Sequence, residues 1–183
     1  SLFLQTMAEI CLAVENLHTK GVVHGNIHPG LIFVDIENGS LHKSGASLVC
    51  FEPFSPQATS SYLAIPELLP YYAQEQIRGA GGTSSDIYAL GRVLLSALSN
   101  TPQDCNQNSP YKIAEKIVWG ESEEFQPDLD SLSPKLKKAL QPFMPLLEGV
   151  VIGALKRLPE ARFDSPAYIR LHLKELSARI KPL

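Results

Sequence analysis

Three histidines, His18, His24 and His28, fall within one short stretch and are the first residues whose types suggest chemistry. Imidazole nitrogens hold zinc and related metals, so the trio could contribute to a metal site. Such histidines far more often pack or hydrogen-bond within a scaffold, and that reading is preferred. Asp35 and Glu37 form a possible carboxylate pair, but they flank Asn38-Gly39, a turn where acids are usually solvated. The glycine-rich run Gly79 to Gly82 could cradle a phosphate, yet no strand precedes it and no G-K-[ST] follows. Cys11, Cys50 and Cys105 are an odd number at unrelated spacings without a CxxC pair, which fits a reducing intracellular setting better than a disulfide framework or zinc.

The elements that must position these residues are mostly helical. Phe3, Met7, Ile10, Val14 and Leu17, joined by Leu4 and Cys11, recur at helical spacing, and Gly21 closes that helix. A turn-rich apolar passage follows, and Asn38-Gly39 between Leu31–Val34 and Leu41 predicts a small β-hairpin. Gly45 to Ser61 lacks periodicity and reads as irregular. Thr83-Ser84-Ser85-Asp86 caps a buried helix over Ile87 to Leu98, and Tyr111 to Trp119 reads as a short amphipathic helix. Glu121 to Ser131 is an acidic connector. Ser133-Pro134 and Ser165-Pro166 each place a cap before proline at the first helical position. Pro142 and Pro145 split what lies between, which predicts helices at Lys135 to Leu140 and at about Leu146 to Lys156.

The chain has 183 residues, 44% hydrophobic, with a formal net charge of -3. That supports one compact domain with a real core, residues 1–183, and gives no basic run to track phosphates, so nucleic acid is not expected as a partner. No signal peptide or membrane span is read, because the most apolar later stretch, Leu146 to Leu155, is short and interrupted by Glu148. A cytoplasmic location is expected. The first residue is Ser1 and an apolar helical pattern starts at once, so the chain is read as cut from something longer.

Four motifs in order carry a resemblance. Val23-His24-Gly25-Asn26-Ile27-His28-Pro29 resembles the H-R-D-L-x-x-x-N catalytic loop of the protein kinase family. Tyr62-Leu63-Ala64-Ile65-Pro66-Glu67 resembles the segment ending in A-P-E, which makes residues 45–67 similar to an activation segment. Ser85-Asp86-Ile87-Tyr88-Ala89-Leu90-Gly91 and Pro159-Glu160-Ala161-Arg162 resemble the D-x-W-S-x-G and P-x-x-R elements. The resemblance implies a mainly α fold, the C-terminal (large) lobe of the protein kinase fold with one small β-hairpin, and an N-lobe that lies outside this chain. It further implies that Glu67 pairs with Arg162 and that Asp86 accepts hydrogen bonds from the catalytic-loop backbone.

Where the family does chemistry, the residues differ. Kinase catalysis needs an aspartate to accept the substrate proton, carboxylate and amide ligands for magnesium, and a lysine on the phosphate. In the resemblance the aspartate falls on Asn26, the lysine on His28 and the metal-binding amide on Leu31, and the register through the hairpin sets D-F-G on Gly45-Ala46-Ser47. Loss of general-base help alone costs about 10²–10⁴ in rate. Gly25 stands where an arginine would receive a phosphate on Thr59, Ser60 or Ser61.

The resemblance thus implies a pseudokinase: not an enzyme, without cofactor or metal, and acting as a scaffold for protein partners. The His-Gly-Asn loop form is similar to that of some pseudokinases that serve as trafficking adaptors. The partner surfaces expected are those around Tyr111 to Trp119 and Gly45 to Ser61. The alternative is a divergent serine/threonine kinase lobe, binding ATP and magnesium when joined to an upstream lobe. A purely structural role inside a large assembly is the third reading.

Overall fold

The computed structural model describes residues 2–38, 40–49, 65–99 and 134–180. Helix α1 spans Leu2–His18, and its buried Leu4, Met7, Ile10, Cys11 and Val14 recur every three or four residues, forming one apolar stripe. Gly21, at φ 72°, takes the left-handed backbone that lets the chain leave the helix, and its N–H donates to the His18 carbonyl at 3.0 Å.

Strands β1 (Ile32–Glu37) and β2 (Ser40–Leu48) form a two-stranded antiparallel sheet, with Glu37 opposite Ser40 and Ile32 opposite Leu48. Asn38 turns the chain at φ 51°, a conformation asparagine tolerates better than most residues. The hairpin is longer than its sequence suggests. Gly45 to Leu48, expected to be irregular, belong to β2, because cross-strand pairing with Ile32, Phe33 and Val34 outweighs weak strand propensity. The ladder is interrupted between Val34 and Ile36, where the partner moves from Ala46 to Leu41, and Gly45 in that interruption adopts φ 70°.

Beyond the sheet, a 3-10 stretch (Pro66–Tyr71) leads to the one-turn helix α2 (Gln74–Ile77) and then to α3 (Thr83–Ser99). Ser84, Ser85 and Asp86 therefore lie inside the first turn of α3 rather than ahead of it. Helix α4 (Pro134–Leu140) is separated from α5 (Met144–Ala154) by the 3-10 turn Gln141–Phe143. Helix α5 starts earlier than expected because Pro145 sits in its first turn, where a missing N–H costs nothing. After the 3-10 turn Pro159–Ala161 comes α6 (Pro166–Arg179), capped by the Ser165 hydroxyl, which accepts from the Ala167 N–H at 3.1 Å.

The architecture is mainly α with this one small sheet. Helix α1 packs on α6 and on β2, while α3 packs on α5. Leu90, Leu94, Leu147, Val151, Ile169 and Leu173 complete the core with α1. At the α3–α5 crossing Gly91 lets the helices touch: a Cβ there would lie 2.7 Å from that of Ala154. Among the described residues no helix is long and apolar enough to cross a membrane. The readings on Cys50, Cys105, Thr59 to Ser61, Tyr111 to Trp119 and Glu121 to Ser131 lie outside the described residues.

Candidate functional site

Asp86, fully buried at the start of α3, organises the loop after α1. Its Oδ2 accepts from the His24 N–H at 2.9 Å and its Oδ1 from the Gly25 N–H at 2.8 Å. His18 Nε2 lies 2.8 Å from Oδ2 and donates to it. A buried carboxylate needs such donors, since removing it from water without them is costly. Gly25 reads these bonds at φ 72°, a backbone conformation that side-chain-bearing residues rarely adopt.

His24 is itself buried, and its two ring nitrogens are both used. Nδ1 accepts from the Asn26 N–H at 3.3 Å, and Nε2 faces the Val49 carbonyl at 3.1 Å, so the proton resides on Nε2. Burial lowers its pKa, against the opposing pull of Asp86 and the Val49 hydrogen bond. His28 caps the 3-10 turn Pro29–Leu31: its Nδ1 accepts from the Gly30 N–H at 3.2 Å. Burial, and then the neighbouring His24, lower its pKa too. The three histidines thus turn to three separate sets of partners.

Residues 72–76 close the loop from the other side. The Tyr72 hydroxyl donates to Asn26 Oδ1 at 2.7 Å. Gln76 Nε2 donates to the Gly25 carbonyl at 2.6 Å, and Gln76 Oε1 accepts from the Ala73 N–H at 3.3 Å. Tyr72, Ala73 and Gln76 are all buried. No motif or periodicity singles them out in the sequence, because their roles depend on contacts made across some fifty positions of the chain.

Arg162 requires a correction. Its partner is Glu75, with Nη1 to Oε1 at 2.6 Å and Nη2 to Oε2 at 3.1 Å, whereas Glu67 is exposed to solvent. The remaining guanidinium donors reach the carbonyls of Lys156 at 2.7 Å, Ser84 at 2.9 Å and Arg157 at 3.1 Å, and the Tyr88 ring lies 5.1 Å away. Every N–H of the fork is matched, the condition for burying a guanidinium. Glu75 also accepts from the Ser85 hydroxyl at 2.7 Å. Burial raises the Glu75 pKa, but the Arg162 hydrogen bonds and charge, with Ser85, overcome it and hold the carboxyl below its ordinary range. An acid at the start of a turn is a weak sequence signal, and two such acids were available; only the packing of α2 chooses between them.

The remaining positions of interest lie on the hairpin. Leu31 donates its N–H to the His28 carbonyl and accepts from Val49, both backbone bonds at 3.0 Å. Gly45, Ala46 and Ser47 lie in β2. These residues do not fit the magnesium that kinase chemistry uses: Leu31 has no ligand atom and none of the three on β2 is a carboxylate.

Comparison with known proteins bears on this arrangement. No family model matches the chain. It is 26% identical over 172 residues to a probable serine/threonine-protein kinase of Corynebacterium efficiens and 25% identical over 172 residues to the serine/threonine-protein kinase PknB of Mycobacterium tuberculosis. It is 28% identical over 182 residues to the serine/threonine-protein kinase PknD of Chlamydia pneumoniae. The chain is protein kinase-like.

These matches cover 93%, 93% and 89% of the kinase-like chain but 25%, 25% and 18% of the relatives. It therefore spans about a quarter or less of their length. The relatives correct the expectation that the chain is not an enzyme, since all three carry the name of serine/threonine kinases and point to an enzyme lineage. The physical reason is one of magnitude. Losing a general base removes about 10²–10⁴ of a rate enhancement that is commonly far larger, so Asn26 by itself does not separate a protein from its enzymatic relatives.

Proposed function

We propose that this kinase-like lobe works chiefly as a protein-interaction module, presenting the rim of its catalytic loop to protein partners. The observation that carries the reading is the Asn26 amide: it stands at the base position, its carbonyl oxygen is occupied by the Tyr72 hydroxyl at 2.7 Å, and an amide does not take up a proton near neutral pH. The absence of fitting magnesium ligands at Leu31 and Gly45 to Ser47 supports the same reading. Partner binding needs only the frame, and the Asp86 and Arg162 networks supply one.

A second reading is favoured by a different observation. The backbone of His24 and Gly25 is held by Asp86 as a working loop would need, and the relatives are named kinases. In that reading the lobe joins an upstream lobe that supplies the nucleotide, and it retains slow serine/threonine phosphotransfer. A thermal-shift titration of the full-length protein with ATP, with and without magnesium, separates the two when paired with a phosphotransfer assay. Ligand at 100 times its dissociation constant raises stability by about 2.7 kcal/mol. A shift that requires magnesium, with transfer, replaces the interaction reading by the second; without both, the interaction reading stands.

A further inference from the structure

The hydrogen-bond inventory of the loop rim points to a ligand class. Asn26 carries one carbonyl acceptor and two N–H donors. Its acceptor is engaged by Tyr72, whose hydroxyl is buried and so not readily exchanged for water. What Asn26 offers outward is its Nδ2 group, for which no described residue acts as acceptor, on a side chain that is only half-buried. His28 repeats the pattern. Its Nδ1 is taken by the Gly30 N–H at 3.2 Å, so the proton is on Nε2 and the remaining ring edge is a donor. The Tyr71 ring stands beside it, 6.4 Å between centroids and tilted by 50°.

We propose that Asn26 and His28 form a donor site for an oxyanion, a carboxylate or phosphoryl group carried by a partner protein segment, with Tyr72 as the residue that positions the amide. The family's loop presents a carboxylate acceptor at this place; here the polarity is inverted. On the side chains of Asn26 and His28 a cationic or purely donating group finds only the second lone pair of Asn26 Oδ1, a neutral hydroxyl accepts only weakly, and a charged oxygen makes hydrogen bonds roughly twice as strong as a neutral one. Gln76 keeps the geometry fixed by tying the Gly25 carbonyl to α2 at 2.6 Å. The inference rests on the reading of the lobe as an interaction module only for the carrier of the oxyanion, a partner protein segment; the donor site itself rests on the hydrogen bonds of Asn26 and His28.

The test uses the full-length protein with ¹⁵N labelling. The Asn26 side-chain amide and the His28 ring nitrogens are followed by NMR during titration with inorganic phosphate and with acetate. N-acetyl amides of phosphoserine, aspartate and serine serve as further probes. The proposal expects saturable shifts of both side chains with the anions and little with the serine compound; the stronger of the phosphoserine and aspartate responses identifies the source of the oxyanion. Asn26→Asp, which keeps size and replaces donors by a charge, and Asn26→Ala should each weaken binding roughly tenfold to a hundredfold, the usual effect of losing a hydrogen bond to a charged group. Tyr72→Phe should weaken it a few-fold and broaden the Asn26 amide signals while leaving the fold intact. Asn26 resonances that do not move with any anion, or Asn26→Asp binding phosphate as the parent does, overturn the proposal. Magnesium-dependent phosphotransfer by a protein whose Asn26 still responds to anions overturns the interaction reading and leaves this site standing.

Discussion

The Arg162 pocket and the Asn26 rim are built on opposite sides of the same short segment, residues 72–76, and they follow different electrostatic rules. Glu75 turns to Arg162, where a full charge is buried and each donor of the fork has an acceptor. Tyr72 and Gln76 turn to the loop after α1, where the groups they meet are neutral and the half-buried Asn26 has no described acceptor for its amide donors. A buried ion tolerates no unmatched partner, whereas a half-exposed amide can leave donors to water at little cost. The pocket therefore ties its elements together with every donor matched, while the rim can leave donors to solvent.

The largest way to break this contrast is at Arg162. Arg162→Ala should destabilise by about 3–5 kcal/mol in urea unfolding, because Glu75 loses its partner inside the protein. Combining Arg162→Met with Glu75→Leu should lose clearly less than the sum of the two single changes, since no charge is then left unpaired. Glu67→Gln should stay within about 0.5 kcal/mol of the parent, as befits a surface position.

On the rim side the effects are smaller. Gln76→Leu strands the Gly25 carbonyl and the Ala73 N–H and should cost about 1–3 kcal/mol. Tyr72→Phe removes the neutral hydrogen bond to Asn26, a loss that should cost about 0.5–1.5 kcal/mol in the same assay.

The two regions should also separate by pH. Glu75 has its folded pKa held below the ordinary carboxylate value, so its contribution is fully present above about pH 4.5 and is lost as pH falls through its folded pKa. His24 has its folded pKa lowered by burial. The unfolded chain then binds the proton first, and stability declines as pH falls below about 6.5. Two steps in a stability–pH profile are expected: His28, whose pKa burial also lowers, shares the upper one, so His24→Gln should reduce that step and His24→Gln with His28→Gln should remove it, while the Arg162→Met, Glu75→Leu pair removes the lower.

Much of the lobe was legible in the sequence for reasons that are local. The apolar stripe from Leu4 to Val14, the Asn38 turn and the Ser165-Pro166 start of α6 each follow from spacing or backbone preference within a few residues. The hairpin's true length was not legible, because Gly45 to Leu48 become strand only through pairing with β1. Nor was the partner of Arg162: Glu67 and Glu75 are equivalent as acids, and the sequence carries no measure of which will be buried.

By itself the sequence determined the kinase-like order of elements and the chemical types at Asn26, His28, Leu31 and Gly45 to Ser47, since those are properties of residues and their succession. Tertiary structure alone decided that Glu75 closes on Arg162, that Gln76 ties down Gly25, and that the Tyr72 hydroxyl donates to the side-chain carbonyl of Asn26. Those outcomes depend on distances between residues far apart in the chain, and hydrogen bonds form only where packing brings donor and acceptor within about 3 Å.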